Sequence, residues 1–270
     1  MLAAQSIPRP RSAPVSFDEG VPRRWFADLA VASHIVNGVS LLFPAGERFF
    51  VRSVRHYLDR IHDPVLREQV KGFFGQEGRH AQAHERFFEV MESQSYTIHG
   101  FLATYERIAF GMIEPMSPPE LRLAVTVALE HYTAIMAENV FRDGLLDLAH
   151  PTMQRLLLWH AAEEIEHRAV AFDVLKEVAP SYPLRMAGLV LATMMLGGLW
   201  VAATGMLMKQ DWDKGERGSL RAFRKIDKRG TIAERIFVRG IKEYIRRDFH
   251  PSQNDVDGLA SGYLASIGIA

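Results

Sequence analysis

Gln76-Glu-Gly-Arg-His80 and Trp159-His-Ala-Ala-Glu-Glu-Ile-Glu-His-Arg168 each contain a Glu-x-x-His pair, Glu77 with His80 and Glu164 with His167. On an α-helix a spacing of three places both side chains on one face about a turn apart, so a carboxylate and an imidazole can reach the same cation. Outward from both pairs the chain keeps a helical apolar period. One stripe runs Leu66, Val70, Phe73, Phe74, Ala81, Phe87, Phe88, Met91, and another runs Met153, Leu156, Leu157, Ala171, Val174, Leu175, Val178. Glu77, His80 and His84 interrupt the first stripe, and His160, Glu164 and His167 interrupt the second. Two further stripes are broken in the same way. Glu47 sits among Phe43, Phe50, Val51, Val54, Leu58 and Ile61, and Glu130 among Leu123, Val127, Ala134, Ala137, Phe141 and Leu148. A lone interior His or Glu is ordinarily a hydrogen-bonded core residue. Four carboxylates and two or more imidazoles converging on one interior are too costly to bury unless cations neutralise them.

Punctuation sets the helix limits. Asp63-Pro64 and Ser117-Pro118 each read as an N-cap followed by proline at the first helical position, and Ser117-Pro-Pro-Glu120 also reads as a capping box. The pattern predicts long helices over 44–61, 64–93, 118–149 and 152–178, with a shorter one over 98–113. The order Glu, Glu-x-x-His, Glu, Glu-x-x-His is that of the ferritin-like di-iron and di-manganese bundles. The gaps agree: 30 residues from Glu47 to Glu77 and 34 from Glu130 to Glu164 suit helical hairpins, while 53 from Glu77 to Glu130 leave room for a long crossover. The expected fold is therefore all-α, a ferritin-like four-helix bundle with a long crossover and extra C-terminal helices, one of them long and apolar. Glu47, Glu77, His80, Glu130, Glu164 and His167 are the expected ligands of two metal ions. Iron is the leading choice, with Mn, a mixed Fe/Mn pair and Zn as alternatives.

The strings Phe43-Pro-Ala-Gly-Glu-Arg-Phe-Phe50, Gln76-Glu-Gly-Arg-His80, Ala128-Leu-Glu-His-Tyr132 and Trp159–Arg168 resemble the bacterial family labelled "predicted metal-dependent hydrolase", a ferritin-like group, over about Val21 to Arg247. That resemblance implies metal-dependent hydrolysis. The ligand set itself resembles the oxygen-activating di-iron proteins, namely small oxygenases, N-oxygenases and desaturases. The leading expectation is an O₂-activating oxygenase or oxidase acting on an apolar organic substrate, served by an electron-donor protein. Metal-dependent hydrolysis is the alternative, and a non-catalytic metal-binding or storage bundle is the second.

Several residues extend the site. His84 follows His80 by one turn and His160 precedes Glu164 by one turn, so antiparallel packing brings both to the same end of the centre. Each is a candidate extra ligand, proton relay or hydrogen-bond partner of a ligand, and Glu163 is an alternative ligand. Glu166 projects away and reads as a helix–helix or surface charge. The small Thr126, Thr133, Ala134 and Ala137 stand opposite the bulky Phe73, Phe74, Phe87 and Phe88. This pattern is either ordinary packing or an apolar cavity beside the metals.

Composition excludes other chemistries. With 32 Lys+Arg against 32 Asp+Glu the net charge is zero, which argues against nucleic acid as a partner. The absence of cysteine removes disulfides, thiolate-bound zinc, Cys-ligated iron–sulfur clusters and Cys nucleophiles. No Gly-x-Ser-x-Gly or Gly-Lys-Ser/Thr occurs, and Asp63 of the His62-Asp63 dipeptide is better explained as a cap than as an HD-type metal ligand.

Residues 1–20 read as a disordered Pro/Arg-rich arm without a signal peptide, 21–180 as the bundle, and 181–209 as an apolar helix. Residues 210–248 read as a basic helical region and 249–270 as a loose tail. Met186–Met208 carries no charge, whereas 209–248 holds 13 Lys/Arg against 7 Asp/Glu. Three readings of the apolar run stay open: a transmembrane span, a helix buried on the bundle, or a membrane-dipping helix or short hairpin bent at Gly197-Gly198. The expected location is the cytoplasm, with contact at the cytoplasmic face of the inner membrane. The expected partners are an apolar or lipid-like substrate and, for the assembled state, other copies of the chain.

Overall fold

The computed structural model describes residues 7–18, 20–216, 218, 231 and 233–269. Residues 217, 219–230 and 232 of the expected basic region, and residues 1–6 and 19 of the expected arm, lie outside these. Among the described residues the chain is all-α. Its helices are α1 (Ala30–Ser40), α2 (Phe43–Arg55), α3 (Pro64–Ser93), α4 (His99–Glu106), α5 (Pro119–Asp143), α6 (Pro151–His167), α7 (Val170–Val178), α8 (Tyr182–Asp213), α9 (Arg239–Tyr244) and α10 (Asp257–Ser266). Helices α2, α3, α5 and α6–α7 pack as a bundle. Its interior includes Val54, Val70, Phe73, Leu123, Val127, Val174 and, towards the other end, Phe87, Met91, Leu156 and Trp159. Each such side chain contributes roughly 1.5–3 kcal/mol on burial.

The helix limits follow local chemistry. Asp63 caps α3 by accepting the Val65 amide at 2.8 Å, with Pro64 at the first position, as its dipeptide predicts. The same reading fails at Ser117. Its hydroxyl turns back to the Ile113 carbonyl at 2.8 Å, and α5 begins only at Pro119. The crossover between α3 and α5 is α4 continued by a wide π-type turn over Arg107–Ile113. Helix α5 stops at Asp143 rather than 149, because Gly144 takes φ +59°, the left-handed conformation that ends helices. The single helix predicted over 152–178 is broken after His167. Arg168 turns its guanidinium onto the Ile165 carbonyl at 2.6 Å and onto Asp257 at 2.5 Å, tying the break to α10.

The uncharged run forms one continuous helix through Gly197 and Gly198, which corrects the hairpin reading. One face of α8 lies on α5 and α1. At Gly188 a Cβ would collide with the Ala124 carbonyl, and at Gly38 one would collide with Thr204. Trp200 donates its indole N–H to the Ile35 carbonyl at 2.7 Å. The C-terminal end is anchored by Asp211, which receives Arg23 at 2.6 Å and Tyr96 at 2.9 Å and pairs with His34 at 2.7 Å. The opposite face is bare: Val190, Met194 and Val201 are 59%, 64% and 75% exposed.

The described residues near both ends pack onto the bundle. Pro8 and Pro10 sit against Gly72 and Gly75 of α3, where any Cβ would collide with them. Val256, Ala260 and Leu264 of the expected loose tail are buried in the same cluster as Met153 and Leu156. Short apolar contacts at glycine gaps and at a helix break supply the burial that the sequence of each terminus lacks by itself.

Candidate metal centre

Glu47 enters the bundle interior from α2, Glu77, His80 and His84 from α3, Glu130 from α5, and His160, Glu163, Glu164 and His167 from α6. All are buried. His167 Nε2 lies 3.1 Å from Glu77, 3.4 Å from Glu130 and 3.5 Å from Glu164. His80 Nδ1 is 3.5 Å from Glu164. His160 Nε2 is 2.9 Å from Glu164 and 3.7 Å from Glu47. Three overlapping donor sets have all their atoms within 4.8 Å of one another: Glu77–Glu130–His167, Glu77–His80–Glu164 and Glu47–His80–His160. The six residues of the Glu/Glu-x-x-His pattern therefore share one interior, with His160 at its edge.

The centre has acceptors without donors. Both carboxylate oxygens of Glu47, Glu77 and Glu130, one of Glu164, and the inward nitrogens His80 Nδ1 and His167 Nε2 make no hydrogen bond. The 3.1 Å approach of His167 to Glu77 lacks hydrogen-bond alignment. Burial, reinforced by neighbouring carboxylates, pushes Glu47 and Glu130 well above the usual carboxylate range. Burial also raises Glu77, against the pull of His167. Burial would raise Glu164 too, but His167 and His160 hold it well below. For His80 burial opposes the charge, yet Glu163 and Glu164 lift it to about 10, and Glu164 and Glu130 likewise lift His167 against burial. Without a cation these groups must share protons. Divalent cations would satisfy the orphaned lone pairs directly, so the donor set fits metal.

The outward nitrogens are all held. Glu163 Oε2 faces His80 Nε2 at 3.1 Å, so Glu163 sits behind a candidate ligand and points its carboxylate away from the donor sets. Gln76 Oε1 takes His167 Nδ1 at 2.9 Å. His84 Nε2 meets His160 Nδ1 at 2.8 Å, placing His84 behind His160, and burial keeps both imidazoles neutral, His160 down to about 4. These contacts leave His80 Nδ1, His167 Nε2 and His160 Nε2 facing inward.

Sequence reasoning missed the next layer. Arg11 donates its backbone N–H to Glu163 at 3.2 Å and grips Glu166 with two nitrogens at 2.7 and 3.0 Å. Glu166 also accepts Gln76 at 2.7 Å. Glu166 thus bridges two helices, as the helix–helix reading expected, and is the outer end of the His167 relay. Gln76 carried a usable signal, since it stands one turn before His80 on the same helix face.

The cavity expectation is half redrawn. Two apolar cavities, of about 100 and 160 Å³, meet at Phe43, Thr133 and Met136. Glu47 borders the first, and His160, Glu164 and Ala137 border the second. Thr133 and Ala137 thus line cavity walls. Phe73, Phe74, Thr126 and Ala134 do not: Phe73 packs edge-on to His167, Phe74 lies under Arg55, Thr126 bonds Ser53 at 2.7 Å, and Ala134 is half-buried. The free space opens toward α1 and α8, which the four-helix projection did not contain.

An all-α bundle with buried carboxylates and imidazoles converging on one interior defines a metal-binding protein. Residues 9–255 match the family described as "predicted metal-dependent hydrolase", and the chain belongs to that family. No curated protein and no solved structure matches it.

Proposed function

We propose that this protein is a metal-dependent hydrolase of ferritin-like architecture. In this reading two metal ions are held by Glu47, Glu77, His80, Glu130, Glu164 and His167, with His160 as a further donor. The observation that carries the reading is the set of unpartnered carboxylate oxygens and inward imidazole nitrogens in one buried centre. Hydrolysis takes precedence over oxygen activation because the family description favours it. When bound, a metal pair would supply Lewis-acid polarisation of a substrate oxygen and a water acidified toward neutral pH. Around it the chain contributes orientation: Glu163 and Gln76 fix the rings of His80 and His167, and His84 fixes His160. Phe43, Met136 and the apolar cavity walls exclude bulk water and favour an apolar substrate. Fe, Mn, a mixed Fe/Mn pair and Zn all suit these oxygen and nitrogen donors.

The oxygenase reading, which would require an electron-donor protein, keeps one observation in its favour: a carboxylate-rich donor set beside cavities with few polar groups to orient an ester. The test is metal analysis of purified protein, with p-nitrophenyl ester hydrolysis measured in air and without oxygen, across alkyl chain lengths. Hydrolysis that is independent of oxygen, needs metal and is lost in Glu77→Ala supports the proposal. Two irons per chain with O₂ consumption by the reduced protein, and no hydrolysis, would replace it with the oxygenase. We further propose action at the cytoplasmic face of a membrane, supported by the bare apolar face of α8 and the basic 209–248 stretch.

A further inference from the structure

A cleft of about 420 Å³ lies where the N-terminus of α8 meets the end of α7 and the segment around Arg247–His250, sharing no residue with the metal centre or its apolar cavities. Its floor holds Arg185, only 7% exposed. The guanidinium stands over the rings of Tyr182 and Tyr244 at 5.1 and 5.2 Å and near those of Phe172 and Phe249. Its Nη2 donates to the carbonyls of Tyr244 and Arg246, at 3.1 and 2.5 Å. Its Nε has no partner, and no carboxylate pairs with it among the described residues. Arginine is almost never buried without a counter-charge.

The surrounding charges do not supply one. Lys176 and Arg247 also line the cleft and are exposed, and neither has a carboxylate partner among the described residues. Arg247 lies over the Tyr182 ring at 4.5 Å. Of the acids nearby, Asp248 is engaged by Arg246 at 3.1 Å and Asp173 by His250 at 2.9 Å. The N-terminus of the 32-residue α8 adds partial positive charge at Ser181 and Tyr182.

We propose that this cleft binds a phosphate-type anion, held by Arg185, Arg247 and Lys176 at the N-terminus of α8. Three cationic side chains and a helix N-terminus match a phosphate dianion better than a single carboxylate. The phosphate has two possible sources, a free phosphate ester or the headgroup of an anionic phospholipid. The second is physically accessible because Ile245, whose carbonyl accepts the Tyr182 hydroxyl, is exposed beside the cleft.

The test titrates the full-length, metal-loaded protein calorimetrically with inorganic phosphate. In parallel it sediments the protein with phosphatidylcholine vesicles that contain or lack phosphatidic acid. Replacing Arg185 risks the fold, since it ties two carbonyls, so the double variant Lys176→Ala/Arg247→Ala carries the test, with metal content and circular dichroism as controls. Phosphate binding weakened at least about tenfold in the double variant, with metal content unchanged, supports a free-anion site. Retention on phosphatidic acid vesicles alone, lost in the double variant, supports a headgroup site. Absence of both activities, or binding equal in wild type and variant, overturns the proposal. The latter result would assign any phosphate binding to the metal centre instead.

Discussion

Arg11 holds Glu166 at 2.7 and 3.0 Å and touches Glu163, and from these carboxylates two relays run inward, through Glu163 to His80 and through Gln76 to His167. Groups behind a ligand set its orientation and basicity, and their loss typically weakens metal binding 10–100-fold. Arg11→Ala is therefore expected to raise the metal dissociation constant by about tenfold in chelator competition; an unchanged constant would show that the relay is only structural. The protonation pattern gives a second expectation at this scale. In metal-free protein, Glu47, Glu77, Glu130, His80 and His167 all keep protons to higher pH than in the unfolded chain. The folded state then binds more protons, so stability falls as pH rises. His84 and His160 act with the opposite sign, but their contribution is complete above the unfolded value near 6.5. From pH 7 to 10 the melting temperature of the metal-free protein is expected to fall, and metal loading to flatten that slope. A metal-free protein that gained stability over this range would contradict the assignment. That these candidate ligands face the interior was legible from spacing, because i, i+3 pairs on apolar stripes turn toward the core. Arg11 was not, since nothing in a Pro/Arg-rich terminus states what it will meet 152 residues later.

Helix α8 shows how far a single element can be read. The length and lack of charge of its 186–208 run were plain, and so was the capacity of that run to cross a bilayer. Its actual placement on α5 and α1 depends on glycines that allow close approach. Gly188→Val would drive a branched side chain into the Ala124 carbonyl and is expected to cost about 2 kcal/mol or more, read as a melting temperature lower by several degrees. Gly198→Ala meets no atom within 4 Å and is expected to be neutral or stabilising by up to about 1 kcal/mol. Equal effects at the two sites would mean that α8 does not pack through Gly188. The element limits divide in the same way. Asp63-Pro64 caps α3 as its sequence says, because capping is local. The break after His167 needs Asp257 and the distant α10 to complete it, so the apolar period continued straight through.

For the whole molecule, the zero net charge conceals a surplus of six positive charges in 209–248, balanced by the rest of the chain. Together with the exposed Val190, Met194 and Val201, this supports the proposed action at a membrane, where an anionic bilayer would face α8. The triple variant Val190→Ser/Met194→Ser/Val201→Ser is expected to lower the fraction of protein sedimenting with anionic vesicles several-fold, without altering metal content. Unchanged sedimentation, with a shift in oligomeric state instead, would assign the face to contacts between copies of the chain.

The sequence by itself determined the all-α class, the helices that carry the candidate ligands, and the convergence of four glutamates and two histidines on one interior. Those features follow from helical periodicity and the cost of burying charge, both of which are written locally. Tertiary structure alone decided which way Glu163 points, what Glu166 meets, where the cavities open, how Pro8, Pro10 and α10 pack onto the bundle, and that Arg185 is buried without a counter-charge among the described residues. Each of these depends on contacts between residues far apart in the chain, whose meeting no local pattern records.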